Sequence, residues 1–175
     1  MSFRRTTDRR VRAGFICLAL WGCCAALYPI PSSGETLGEA KLPKATKERI
    51  YQQLDEDLEG ATDSARRVEQ GYELKLIQLA PNGRKGVRVW GRSQDGAPVC
   101  GATGNCPIWV FDSETGDLLL LTFGWELRVE TTVHHGYYDM VTRHNMSAMS
   151  GIRDHYRFDG HVYKVWQETD ENYVR

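Results

Sequence analysis

The sequence lacks the motifs of the common exported or nucleotide-dependent chemistries. It contains no Gly-x-Ser-x-Gly nucleophile elbow, no His-Glu-x-x-His metal helix and no glycine loop opening a helix to cradle phosphate. Gly101 and Gly104 come closest to such a loop, but they precede an apolar run too short for a helix, so they read as turn glycines. Positive charge is also scarce beyond residue 34. Residues 1–34 take five of the 22 basic and one of the 23 acidic residues, leaving 17 against 22, a net charge of −5. A phosphate backbone attracts clustered Lys and Arg, so this deficit argues against nucleic acid as a partner. It also offers no polybasic surface for anionic lipid, which restricts membrane contact to the N-terminal segment.

What the chain does have begins with that segment. Arg4, Arg5, Arg9, Arg10 and Arg12 run directly into Ala13–Ile30, 18 residues without a charge. A basic stretch followed by an apolar one is the pattern of an export signal. Residues 1–34 therefore read as an export signal or an N-terminal anchor, followed by a linker over 35–45 and a single domain over 46–175. Cleavage near Ser32-Ser33-Gly34 and an uncleaved anchor are both compatible with the pattern. So is a lipobox-like Leu20-Trp21-Gly22-Cys23, which would make Cys23 a lipidated residue. The expected location is the periplasm or the exterior, with a membrane tether as an option.

Export gives the cysteines a meaning. Cys17, Cys23 and Cys24 lie in the N-terminal segment, which leaves Cys100 and Cys106 to the domain. In an oxidising compartment such a pair reads as one disulfide. Zinc favours two to four intervening residues and a second ligand pair, whereas five intervene here. Closing so short a loop is worth only about 2 kcal/mol.

Periodicity divides the domain. Ile50, Leu54 and Leu58 recur every four residues with Tyr51 beside them, predicting an amphipathic helix from Thr46 to Glu59. From Tyr72 the period falls to two. Tyr72, Leu74 and Leu76 alternate, and the change of face at Ile77 and Leu79 suggests a bulge. Strands are then expected at Val87–Val89 with Arg88 facing out, Pro107–Phe111, Leu118–Phe123, Trp125–Val133, Tyr138–His144 and Asp154–Phe158. A two-residue Asp159-Gly160 hairpin would lead into His161–Trp166. The fold class is α+β, mainly antiparallel β, as a rolled sheet or small sandwich with one N-terminal helix.

All five histidines fall between positions 134 and 161, together with Met140, Met146 and Met149. Imidazole and thioether ligands suit copper, and His144, Met146 and Met149 fall within six residues, so a copper carrier is one functional class. A hydrolase centred on His135 and Asp139 is another. Against both, neighbouring strand residues point to opposite faces and no fixed metal spacing is present. The aromatics Trp90, Trp109, Trp125, Tyr137, Tyr138, Tyr156, Tyr163 and Trp166 serve chiefly as core, with a minority free to form a recognition platform. Asn145-Met146-Ser147 matches a glycosylation sequon, read as a chance match behind a bacterial-type signal.

Two segments carry a resemblance. They are Cys100-Gly-Ala-Thr-Gly-Asn-Cys106-Pro-Ile-Trp-Val-Phe111, and His135-Gly-Tyr-Tyr-Asp139 followed by Tyr156-Arg-Phe-Asp-Gly-His-Val-Tyr163. Over residues 72–163 the chain resembles small exported bacterial proteins with a Cys-Gly-x-x-Gly-x-Cys hairpin and a Tyr-x-Phe-Asp-Gly-x-x-Tyr hairpin. The resemblance implies export and a disulfide, and it brings no activity or cofactor. In architecture alone the domain is similar to periplasmic lysozyme inhibitors, whose inhibitory residues do not align here. The favoured reading is a non-catalytic module binding an envelope protein or glycan, without a cofactor. Its surface would include Thr103, Asn105, His135, Tyr137 and Asp139, because rigid loops beside a sheet commonly carry recognition.

Overall fold

The computed structural model describes residues 40–57, 73–91 and 100–173. The 1–34 segment, with Cys23, lies outside the described residues, as do the last two positions of the helix expected to end at Glu59. The described residues all fall within one compact unit, and none of their helices is long and apolar enough to cross a membrane.

One helix, α1 (Lys44–Asp57), precedes eight strands: β1 (Glu73–Gln78), β2 (Lys85–Trp90), β3 (Cys106–Asp112), β4 (Leu118–Gly124), β5 (Glu126–His134), β6 (Tyr137–Asn145), β7 (Ser150–Phe158) and β8 (Tyr163–Asn172). They form two four-stranded antiparallel meanders, β1-β2-β3-β4 and β5-β6-β7-β8. The α+β, mainly antiparallel class holds, and the sandwich is the form it takes. Two apolar clusters explain the layering. Ile50 and Leu54 of α1 pack with Leu74, Val87, Val89, Trp109 and Phe111 on one face of the first sheet. Val110, Leu119 and Leu120 on its other face meet Met140, Tyr156, Phe158 and Tyr163 of the second sheet. The first sheet is thus a middle layer, and all seven residues of β3 are buried.

This layering corrects several expectations. Arg88 does not face water, because the face it shares is covered too. It is buried, with its Nη2 donating to Glu73 Oε1 at 2.7 Å and its guanidinium over the Trp90 ring. Ala40 and Leu42, in the expected linker, belong to the helix-side core, so the fold starts before residue 46. No bulge interrupts the β1–β2 register; the change of face arises because both faces of the sheet are covered, Leu74 packing on the helix side and Ile77 and Leu79 on the side of the second sheet. The register shifts fall instead in β3–β4, β5–β6 and β7–β8. The Asp159 turn spans four residues, closed by Asp159 N–H to Val162 O at 3.0 Å. Asp159 Oδ1 accepts the N–H groups of His161 and Val162, which keeps His161 out of β8. The two-residue hairpin occurs elsewhere, at His135-Gly136. Both have positive φ (49° and 82°), as a turn matching strand twist requires.

Candidate functional site

Three groups of polar side chains stand out, and the sheet faces decide what each can do. The first is internal. Between the sheets Thr122 Oγ1 and Tyr156 Oη lie 2.8 Å apart, and Tyr156 Oη donates to Asp154 Oδ2 at 3.2 Å. Asp154 Oδ2 is in turn 3.4 Å from His144 Nδ1. Burial raises the Tyr156 pKa, so the phenol stays a neutral hydrogen-bonding hub. The copper residues separate here. His144 points toward Asp154, while Met146 and Met149 are 60% and 56% exposed in the β6–β7 turn. No group of three or more His, Cys, Asp or Glu side chains among the described residues is placed to hold a metal.

The second group lies near the His135-Gly136 turn. His134, not His135, meets the carboxylate: its Nδ1 is 2.7 Å from Asp139 Oδ1, and Arg157 Nε is 3.7 Å from Asp139 Oδ2. His135 is taken by the turn, where its ring is exposed, so the sequence placed the partner one residue too far along. Tyr137 is not a free aromatic. It stacks on Phe158 at 4.0 Å and lies edge-on to Tyr163, with the Arg84 guanidinium 5.7 Å from its ring centre.

The third group is built around the disulfide. The sulfurs of Cys100 and Cys106 lie 1.96 Å apart, and Gly101 N–H to Asn105 O (2.8 Å) closes the loop between them. This loop is clasped to the end of β6. Asn105 Nδ2 donates to Asn145 O and Asn145 N–H to Asn105 Oδ1, both at 2.8 Å. Asn145 Nδ2 donates to Thr103 O at 3.0 Å. Thr103 and Asn105 therefore act by fixing Asn145, and the sequon amide is itself engaged. On its other side Asn145 Oδ1 accepts from Tyr173 Oη at 3.3 Å. Tyr173 can lie there because position 151 is glycine: a Cβ would overlap Tyr173 Oη and sit 2.6 Å from His144 O.

Asn145 and Tyr173 form part of the wall of an open cleft of about 600 Å³, completed by Trp125, Arg143, Glu171 and Asn172. Arg143 bridges two carboxylates, Glu126 Oε2 at 3.4 Å and Glu171 Oε1 at 3.2 Å, and Glu171 Oε1 also pairs with Arg153. The Arg143 guanidinium lies 5.8 Å from the Trp125 ring centre. Three cleft-lining residues carry a buried polar atom without a hydrogen-bond partner among the described residues, Trp125 Nε1, Arg143 Nε and Glu171 Oε2, and Arg153 Nε beside them is a fourth. Three of the four are donors and one is an acceptor. Buried polar groups are normally satisfied, so unpartnered atoms on several residues that line one cleft single it out as the candidate site; Arg88 Nε, Asp154 Oδ1 and Arg157 Nε are likewise buried and unpartnered elsewhere among the described residues. The sequence pointed to the disulfide loop but missed Trp125, Arg143, Glu171 and Tyr173. The signal available was the odd phase of Arg143 and Arg153 on adjacent strands, on the face opposite Met140 and Tyr156.

Comparison with protein-family models, with curated proteins and with solved structures returns no match.

Proposed function

We propose that this chain is an exported, non-catalytic module that binds an envelope glycan in the Trp125–Tyr173 cleft. The observation that carries this reading is the convergence of Trp125 Nε1, Arg143 Nε and Glu171 Oε2, all buried and unpartnered within the described residues, beside two aromatic rings. A volume of about 600 Å³ suits a small ligand or one unit of a polymer, within the usual range of about 300–1,000 Å³. Sugars present hydroxyls that both donate and accept, and an acetamido group places a carbonyl beside an N–H. Trp125 and Arg143 answer the acceptor and Glu171 answers the donor. The neighbouring charges balance, two arginines against Glu126 and Glu171, so an uncharged glycan fits better than a polyanion. The disulfide loop serves the cleft by holding Asn145, and through it Tyr173, in place.

The oxidised full chain on an array of oligosaccharides, including β-1,4-linked N-acetylglucosamine oligomers, tests the reading. Retention of a glycan by the wild type is expected, with a loss of tenfold or more in Trp125→Phe, which keeps a ring and removes the N–H. Failure to retain any glycan, or equal retention by the variant, overturns it.

A further inference from the structure

The cleft is one end of a longer surface. The second sheet packs Met140, Tyr156 and Phe158 inward, so the intervening positions of β6 and β7 line its outer face: Asp139, Val141 and Arg143 on one strand, Arg153, His155 and Arg157 on the other. Arg143 is the register partner of Arg153, and Val141 of His155. At the far end the Arg157 guanidinium sits 3.5 Å from the Trp166 ring centre, and His155 meets the same ring edge-on at 5.9 Å. Trp166 is nevertheless 44% exposed. It reaches this face because the β7–β8 register shifts after His155, leaving Trp166 opposite no single residue. The outer face therefore repeats one device twice, a tryptophan with an arginine against its ring, once at Trp125–Arg143 and once at Trp166–Arg157.

Four residues along β7 separate Arg153, beside the cleft, from Arg157, a span of about 13 Å at the rise of an extended strand. Between the two lie Val141, buried although it is on the outer face, and His155. No acidic side chain intervenes along these strand positions; Asp139 lies at the far end, neutralised by Arg157 and facing His134.

We infer that Trp166 and Arg157 form a second sugar station, so that the ligand is a linear glycan chain lying along β6 and β7 rather than a single sugar. This rests on the cleft reading and adds to it. Trp166 supplies the flat apolar face on which a sugar ring packs, and the stacked Arg157 holds that face in one orientation. Two stations whose arginines, Arg143 (opposite Arg153) and Arg157, are offset by about 13 Å along the strand direction reward a chain long enough to reach both, since the second contact forms within an already bound molecule.

The test titrates the full chain with the disaccharide and with the hexasaccharide of β-1,4-linked N-acetylglucosamine, using wild type, Trp166→Ala and Trp125→Phe. The wild type is expected to bind the hexasaccharide at least tenfold more tightly than the disaccharide. Trp166→Ala should bring the hexasaccharide down to the disaccharide level and leave disaccharide affinity and melting temperature unchanged. Trp125→Phe should weaken both. Equal affinity of the wild type for the two lengths, or an unaltered hexasaccharide affinity in Trp166→Ala, overturns the second station while the cleft stands. Absence of binding to either oligomer overturns both.

Discussion

The two sheets share a topology and differ in what their outer residues touch. In the first sheet β3 is buried along its whole length, because α1 covers one face and the second sheet the other. In the second sheet β8 is exposed from Lys164 to Asp170. The polar residues follow this division. In the middle layer Arg88 and Asp112 are buried and paired with Glu73 and Arg84, with Arg88 Nε alone of this pair's atoms lacking a partner among the described residues. On the free face of the second sheet Arg143, Glu171 and Trp125 retain unsatisfied atoms. On the proposed reading, stability is concentrated in the covered sheet and recognition on the uncovered one.

The comparison breaks most severely if the middle layer can be emptied without cost. Trp109 is 1% exposed, and its indole N–H donates to Asp57 Oδ2 at 2.8 Å, tying the end of α1 to β3. Trp109→Ala is expected to lose about 3–5 kcal/mol, read by chemical denaturation. Asp112 should come next. Its carboxylate pairs with Arg84 Nε at 2.6 Å and accepts the N–H groups of Glu114 and Thr115, shaping the β3–β4 turn. Asp112→Ala removes these interactions and leaves Arg84 unpaired, at a cost of about 3 kcal/mol. Burial alone would raise the Asp112 pKa, but Arg84 and the two N–H donors outweigh it and hold the carboxyl below 3.8. A depressed folded-state pKa means that this stabilisation is present above pH about 4 and is lost as pH falls through the folded value. Denaturation midpoints measured from neutral to acid should decline in that window, and the decline should be smaller in Asp112→Asn.

Cys100→Ser/Cys106→Ser is the smaller perturbation, about 2 kcal/mol for so short a loop. It should loosen the Asn105–Asn145 clasp, so glycan retention should fall more than melting does. At the mild end, Trp166→Ala on the exposed face should stay within about 0.5 kcal/mol of wild type. A larger loss of stability there would sink the division between the sheets.

Much of the architecture was legible in the sequence because burial writes a period. The i,i+4 spacing of Ile50 and Leu54 marked α1, and the alternation after Tyr72 marked the strands. The disulfide was legible from the two cysteines left to the domain once residues 1–34 are read as an export signal. What escaped were features set by long-range packing. Arg88 reads as outward from its own strand, and only the second sheet makes that face interior. The Asp159-Gly160 dipeptide reads as a two-residue turn until the Asp159 carboxylate is seen to draw in two further N–H groups. The cleft joins Trp125, Arg143 and Glu171 from three strands, a juxtaposition fixed by register and without a local signature. Near Asp139 the choice between His134 and His135 turned on which of them the hairpin would place at positive φ.

The central claim is tested most directly by the indole N–H resonances of the ¹⁵N-labelled full chain during titration with the N-acetylglucosamine hexasaccharide. The Trp125 N–H should shift strongly as it gains a partner, the Trp166 resonance should follow, and the Trp109 N–H, already bonded to Asp57 inside the middle layer, should stay fixed. A titration that moves Trp109 while Trp125 remains still, or that moves neither, contradicts the account.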